Sequence, residues 1–180
     1  VRVAAVLVAL RARAPRLETW VRSDAPSWLF SRRDPQVRCS EACIDVGVLQ
    51  AGALELDLPR TLAAHETFIG QWDASVEREA AWLADVGAEL VVGDVPPLAF
   101  AAAARAGLPS VAIANFSWDW ILDLYAGAEP RFVPIVEHYA RAYGEAEVLY
   151  RLPFPGEFPA FREIRDAALL AHRSARHPKE

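Results

Sequence analysis

The sequence predicts an α/β fold built on parallel strands, and three features carry that expectation. Glu89-Leu90-Val91-Val92-Gly93 is a continuous apolar run of the kind buried on both faces of a parallel sheet. Ser110-Val111-Ala112-Ile113-Ala114 is a second such run. Between them, Pro96-Pro97 opens an alanine-rich helical stretch, Leu98 to Ala106, that Gly107 and Pro109 stop. A strand, a short helix and a strand so closely spaced make a βαβ crossover, so the two strands run parallel.

The other elements rest on the same signals. Val3, Val6, Leu7 and Leu10 recur at helical spacing, and Pro15 closes that segment behind an arginine-bearing last turn. Val1 is not an initiator and the chain has no methionine, so this helix is expected to come after a strand that has been lost. Leu17 to Val21 alternates apolar with polar as a strand does, and Cys43 to Leu49 offers another short strand. Asp24 to Gln36 reads as a loop with one turn of helix. A single long helix is expected from Pro59 to Val86, because Leu62, Ile69, Trp72, Val76, Ala80 and Leu83 form one apolar stripe. Asp57 caps its start, Gly87 ends it, and His65 on the stripe reads as a hydrogen-bonded histidine at the core edge. Further on come a helix through Tyr125, another from Pro134 to Gly144, a strand from Glu147 to Leu152 and a loop stiffened by Pro153, Pro155 and Pro159.

Composition narrows the function. A chain of 180 residues with 53% hydrophobic and 24% charged side chains can build a core. A net charge of -5 argues against a nucleic-acid partner, which needs a basic surface for phosphates. Val1 to Leu10 falls well short of the roughly 20 apolar residues that cross a bilayer, so no transmembrane segment is expected. Cys39 and Cys43 lack the C-x2-C spacing and the second ligand pair of a zinc site. No metal is expected, only reduced, half-buried thiols in a cytoplasmic protein. No G-x-G-x-x-G, P-loop or G-x-S-x-G motif is present.

Chemistry is expected where open α/β sheets bind ligands: beyond the carboxyl ends of the strands, near a switch in strand order. Asp94 ends one strand and Asn115 the other, two polar residues that a core would not choose. Ser117 stands at the N-cap of the next helix. Asp119 in its first turn suits the helix dipole and disfavours a phosphate there. Trp118 and Trp120 offer flat faces suited to the C–H side of a sugar ring. Asp45 and Gln50 flank a strand end and are placed to reach the same crevice, or to make a turn. The plainer reading stays open beside this one, with Asp94 and Ser117 as helix caps and the tryptophans as core.

Val91-Val92-Gly93-Asp94-Val95-Pro96-Pro97 and Asn115-Phe116-Ser117-Trp118-Asp119-Trp120-Ile121 resemble a bacterial glycosyltransferase-like family. They are also similar to the N-terminal domain that plant-type arabinose kinases carry. Ile44-Asp45-Val46-Gly47-Val48-Leu49-Gln50-Ala51 and Leu149-Tyr150-Arg151-Leu152-Pro153 fit the same pattern in the same order. The resemblance implies a GT-B architecture: a Rossmann-like three-layer α/β/α lobe with a mainly parallel sheet, paired with a second lobe across a cleft. Residues 1–165 would then form the acceptor-side lobe and 166–180 the start of a connection to a donor lobe. The implied partners are a sugar or glycoside acceptor and that C-terminal lobe. No cofactor is implied, the nucleotide-sugar being a substrate. Asp94 would orient or deprotonate the acceptor hydroxyl, and Asn115, Ser117, Trp118 and Asp119, with Asp45 and Gln50, would hold the acceptor. A glycine- and histidine-rich turn that the pattern places just before Val1 is absent here. The other implied possibility is a non-catalytic sugar-binding or regulatory module attached to a sugar kinase.

Overall fold

The computed structural model describes residues 2–53 and 55–170; the polar stretch from Ala171 onward, expected to be a connection, lies outside the described residues. The chain divides into two compact units, one holding residues 2–43 with 168–170 and the other holding Ile44–Ala167. No helix among the described residues is long and apolar enough to cross a membrane.

In the smaller unit, helix α1 (Arg2–Arg13) is followed by β1 (Trp20–Arg22), the short α2 (Trp28–Ser31) and β2 (Arg38–Ser40). β1 and β2 pair in parallel, Trp20 opposite Arg38. Leu7, Phe30 and Val37 form the local core, and Arg11 closes it with an ion pair to the buried Asp34 at 3.1 Å. Cys39 and Cys43 are both exposed rather than half-buried.

The larger unit opens with an irregular segment and a hairpin, β3 (Gln50–Gly52) against β4 (Glu55–Leu56). The strand expected from Cys43 to Leu49 is not formed. Ile44 and Val48 do pack on the core, but the Leu49 amide donates to the Thr61 hydroxyl at 3.0 Å instead of to a neighbouring strand. Apolar alternation there marks burial of an irregular segment. Helices α3 (Leu58–Gly70) and α4 (Trp72–Asp85) replace the single long helix. The break is at Gln71, whose backbone leaves the helical region at φ -108° and ψ 10°. Both ends obey the sequence signals: the Asp57 carboxylate accepts from the Arg60 amide at 3.0 Å, and Gly87 turns the chain at φ +66°.

The central sheet is formed by β5 (Val91–Gly93), β6 (Ser110–Ala114), β7 (Val148–Arg151) and β8 (Ile164–Asp166). The strands are parallel throughout and lie in sequence order. With its flanking helices α5 (Pro97–Ala106), α6 (Trp118–Ala126) and α7 (Val133–Tyr143), this is a Rossmann-like three-layer α/β fold. Two expectations need correction. β5 is an edge strand, not one buried on both faces, with Leu90 52% and Val92 44% exposed. The strand order does not reverse within this sheet, so the ends of β5 and β6 are adjacent carboxyl ends and not a switch point. β8, which no sequence signal marks, forms from an exposed and charged stretch held by ladder bonds to β7.

Phe100, Phe132, Tyr139 and Tyr143 are fully buried beneath the sheet helices. Phe100 sets a tight limit at the end of β5. A β-carbon on Gly93 would lie 2.5 Å from its Cζ, while the ring is wedged between Tyr143 and Phe161. Gly93→Ala is therefore expected to destabilise the domain by about 2 kcal/mol through overpacking. Urea unfolding of the two proteins checks it, with the second variant Gly93→Ala/Phe100→Leu recovering part of the loss.

Candidate functional site

The ends of β5 and β6 are neighbours because the two strands are parallel and in fixed register, with Gly93 opposite Ala112. Asp94 directly follows β5 and Asn115 directly follows β6, so both stand at the same end of the sheet. Both residues are half-buried, and one oxygen of the Asp94 carboxylate, Oδ1, is itself buried. Asp94 stands two residues before the N-cap of α5. The N-cap of α5 is Pro96, which makes no side-chain bond.

Between Asp94 and Pro96 the backbone is strained. Val95 is 4% exposed and has φ +84°, a left-handed conformation that a β-branched residue seldom adopts. Tyr143 holds it there. Its hydroxyl, at the end of α7, donates to the Val95 carbonyl at 2.7 Å and accepts from the Trp118 amide at 3.1 Å. One buried phenol therefore ties the turn after β5 to the first turn of α6. Burial drives its ionisation well above the ordinary tyrosine range, so it stays a neutral hydroxyl able to do both.

The other predicted residues fall into two groups. Trp118 is half-buried; its indole nitrogen donates to Asp45 at 2.8 Å, and its ring lies against Gly47 and edge-on to Phe116. Asp45 is thereby brought to the site, 73 residues away in sequence. Ser117 and Asp119 are at the edge but buried, at 1% and 3% exposure. Ser117 occupies the N-cap of α6, yet its hydroxyl makes no cap bond, and Ser117 Oγ and Asp119 Oδ1 are both buried outside hydrogen-bond geometry. Burial pushes the Asp119 carboxyl up, against the opposing pull of the nearby Ser117 hydroxyl and the Trp120 amide. Gln50 is not gathered with them. It is exposed on β3 and paired with Leu56.

Sequence reasoning misses Tyr143, Val95 and the loop after β7. The Leu152 amide donates to the Ala114 carbonyl and the Gly156 amide to the Asn115 carbonyl, each at 2.8 Å. That loop therefore straddles the end of β6, and Trp120 covers Gly156 so closely that a β-carbon there would lie 2.5 Å from the ring. A shallow groove elsewhere in this unit, lined by Val46, Leu49, Arg60, Ala63, Thr67 and Gln71, contains none of the site residues.

The end of the sheet carries a carboxylate at Asp94 and a carboxamide at Asn115, with Trp118 in the first turn of α6 and the buried Ser117 and Asp119 on either side of it in sequence. Such a set can hydrogen-bond a polyhydroxylated ligand and pack its apolar side. No protein-family profile matches the chain. It is 37% identical over 162 residues to the L-arabinokinase of Arabidopsis thaliana, a match that takes in 87% of this chain but 15% of that protein. The chain is thus similar to one segment of a much longer protein whose name is that of a sugar kinase.

Proposed function

We propose that this domain binds a sugar or glycoside at the carboxyl edge of its sheet, as the acceptor-side lobe of a nucleotide-sugar-dependent glycosyltransferase. The observation that carries the reading is the shared edge of Asp94 and Asn115, with Asp45 and Trp118 coupled beside them. Glycosyl transfer needs the acceptor hydroxyl aligned and relieved of its proton, and a half-buried carboxylate at a strand end suits that task. Asn115 hydrogen-bonds the acceptor and Trp118 packs against it, its ring angle fixed by Asp45. Ser117 and Asp119, being buried, shape the first turn of α6 and stand behind the contact surface.

A second reading is favoured by the match to a segment of L-arabinokinase: a sugar-binding or regulatory module joined to a sugar kinase. Both readings use the same sugar site and differ in the step that binding leads to. Product formed from a nucleotide-sugar and a free sugar without ATP supports the transferase. Sugar binding at this domain that changes only a phosphorylation rate supports the module. For the transferase, Asp94→Asn in the full-length protein is expected to lower transfer on the order of 100-fold with its circular dichroism unchanged. Unaltered turnover would remove Asp94 from the chemistry.

A further inference from the structure

Among the described residues, two non-glycine residues have positive φ: Val95 at +84° and Phe154 at +59°. They lie at the carboxyl ends of β5 and of β7, on the two strands that flank β6 and its Asn115. Val95 is held by the Tyr143 bond and is buried. Phe154 is the opposite case, with 87% of its surface exposed.

Its exposure is built in. The loop that carries it stands on two bonds to successive carbonyls of the β6 end, from the Leu152 and Gly156 amides. Pro153 and Pro155 stiffen the backbone on either side, and Trp120 presses on Gly156 where no side chain would fit. The loop thus holds a large aromatic ring in water, on a left-handed backbone that disfavours any residue with a β-carbon. Neither burial nor backbone preference selects phenylalanine there. Strain of this kind concentrates where a side chain must be presented to a ligand.

We propose that Phe154 is the aromatic platform of the sugar site, its ring receiving the C–H face of a pyranose whose hydroxyls meet Asn115 and Asp94. The proposal rests on the sugar-binding reading and assigns to it the residue that selects for ring face. Carbohydrate is the ligand class that fits both halves of the edge: an apolar face for the ring, with a carboxamide and a carboxylate for the hydroxyls. A lone aromatic between two prolines is too small an area for a protein interface, which typically engages about 20 residues a side.

The test uses the full-length protein and a panel of methyl pyranosides together with L-arabinose, read by saturation-transfer NMR and calorimetry. The native protein should bind at least one probe, with its C–H protons receiving saturation. Phe154→Ala should weaken that probe about tenfold and Phe154→Tyr should retain it. Phe154→Gly should lose binding while raising the melting temperature, because glycine accepts the left-handed backbone; a purely structural role would move the two together. Binding that Asn115→Ala abolishes but Phe154→Ala leaves intact overturns the platform and spares the site. Absence of binding by the native protein to every probe overturns the site and the platform with it. Unchanged sugar affinity with loss of self-association in Phe154→Ala, read by light scattering, would assign the ring to a protein contact and overturn the proposal.

Discussion

Tyr143→Phe is expected to destabilise the domain by about 3 kcal/mol and to weaken the site at the same time. The substitution deletes one oxygen and keeps the packing of a ring that is fully buried against Phe100 and Phe161. What it removes is the bridge from the Val95 carbonyl to the Trp118 amide. Each of those backbone groups then loses its partner in a site with little access to water, at about 1–3 kcal/mol apiece. Release of the carbonyl also frees Val95 to leave φ +84°, carrying Asp94 with it. Urea unfolding measures the first effect and sugar binding the second. Loss of stability with sugar affinity unchanged would show that the phenol supports the fold without setting the position of Asp94. The companion variant Val95→Gly relieves the strain without touching the bridge; combining the two should give less than the sum of their effects on binding.

Much of the larger unit is legible in the chain because its elements are bounded by strong local punctuation. Pro96-Pro97 and Gly107 delimit α5, and the alternating burial of Ser110, Ala112 and Ala114 is what a helix-covered strand requires. The expectation of one long helix fails because the apolar stripe runs unbroken through Ile69, Trp72 and Val76, and periodicity alone does not register a change of axis. Gly70, one residue before Gln71, is the available hint. β8 is not legible because Ile164, Arg165 and Asp166 are all exposed, and only the ladder to β7 makes them a strand.

The site divides along the same line. Asp94 and Asn115 are visible as polar residues closing apolar runs, a local signal. The bond from Trp118 to Asp45 and the bridge made by Tyr143 join positions 73, 25 and 48 residues apart, and no spacing rule pairs them. Phe154 is hidden among three prolines, where it reads as a loop residue; the role proposed for it rests on φ +59° and 87% exposure, which no local pattern encodes.

Acidification is expected to expose a weakness in the core where α3 meets α7. His65 on α3 is fully buried, with Nδ1 2.7 Å from the Tyr139 hydroxyl and Nε2 without a hydrogen-bond partner. Desolvation lowers its pKa from 6.5 to about 4, so it is neutral in the folded protein. The unfolded chain takes up this proton from about pH 6.5 downward while the folded one resists until about pH 4, so stability falls with pH across that window. At about 1.4 kcal/mol per pH unit the full loss is on the order of 3 kcal/mol. His138 adds to it in the same direction, its pKa lowered first by burial and then by Arg141. Asp119 acts oppositely: its raised pKa lets the folded state take a proton first, so acid relieves its burial. His65→Asn preserves a hydrogen-bonding atom for Tyr139 and removes the titration. Urea unfolding between pH 7 and about pH 4.5 should show a steep slope in the native protein and a shallower one in the variant. Equal slopes would mean that the buried imidazole already has access to a compensating water or carboxylate, and the acid sensitivity would then have to come from His138.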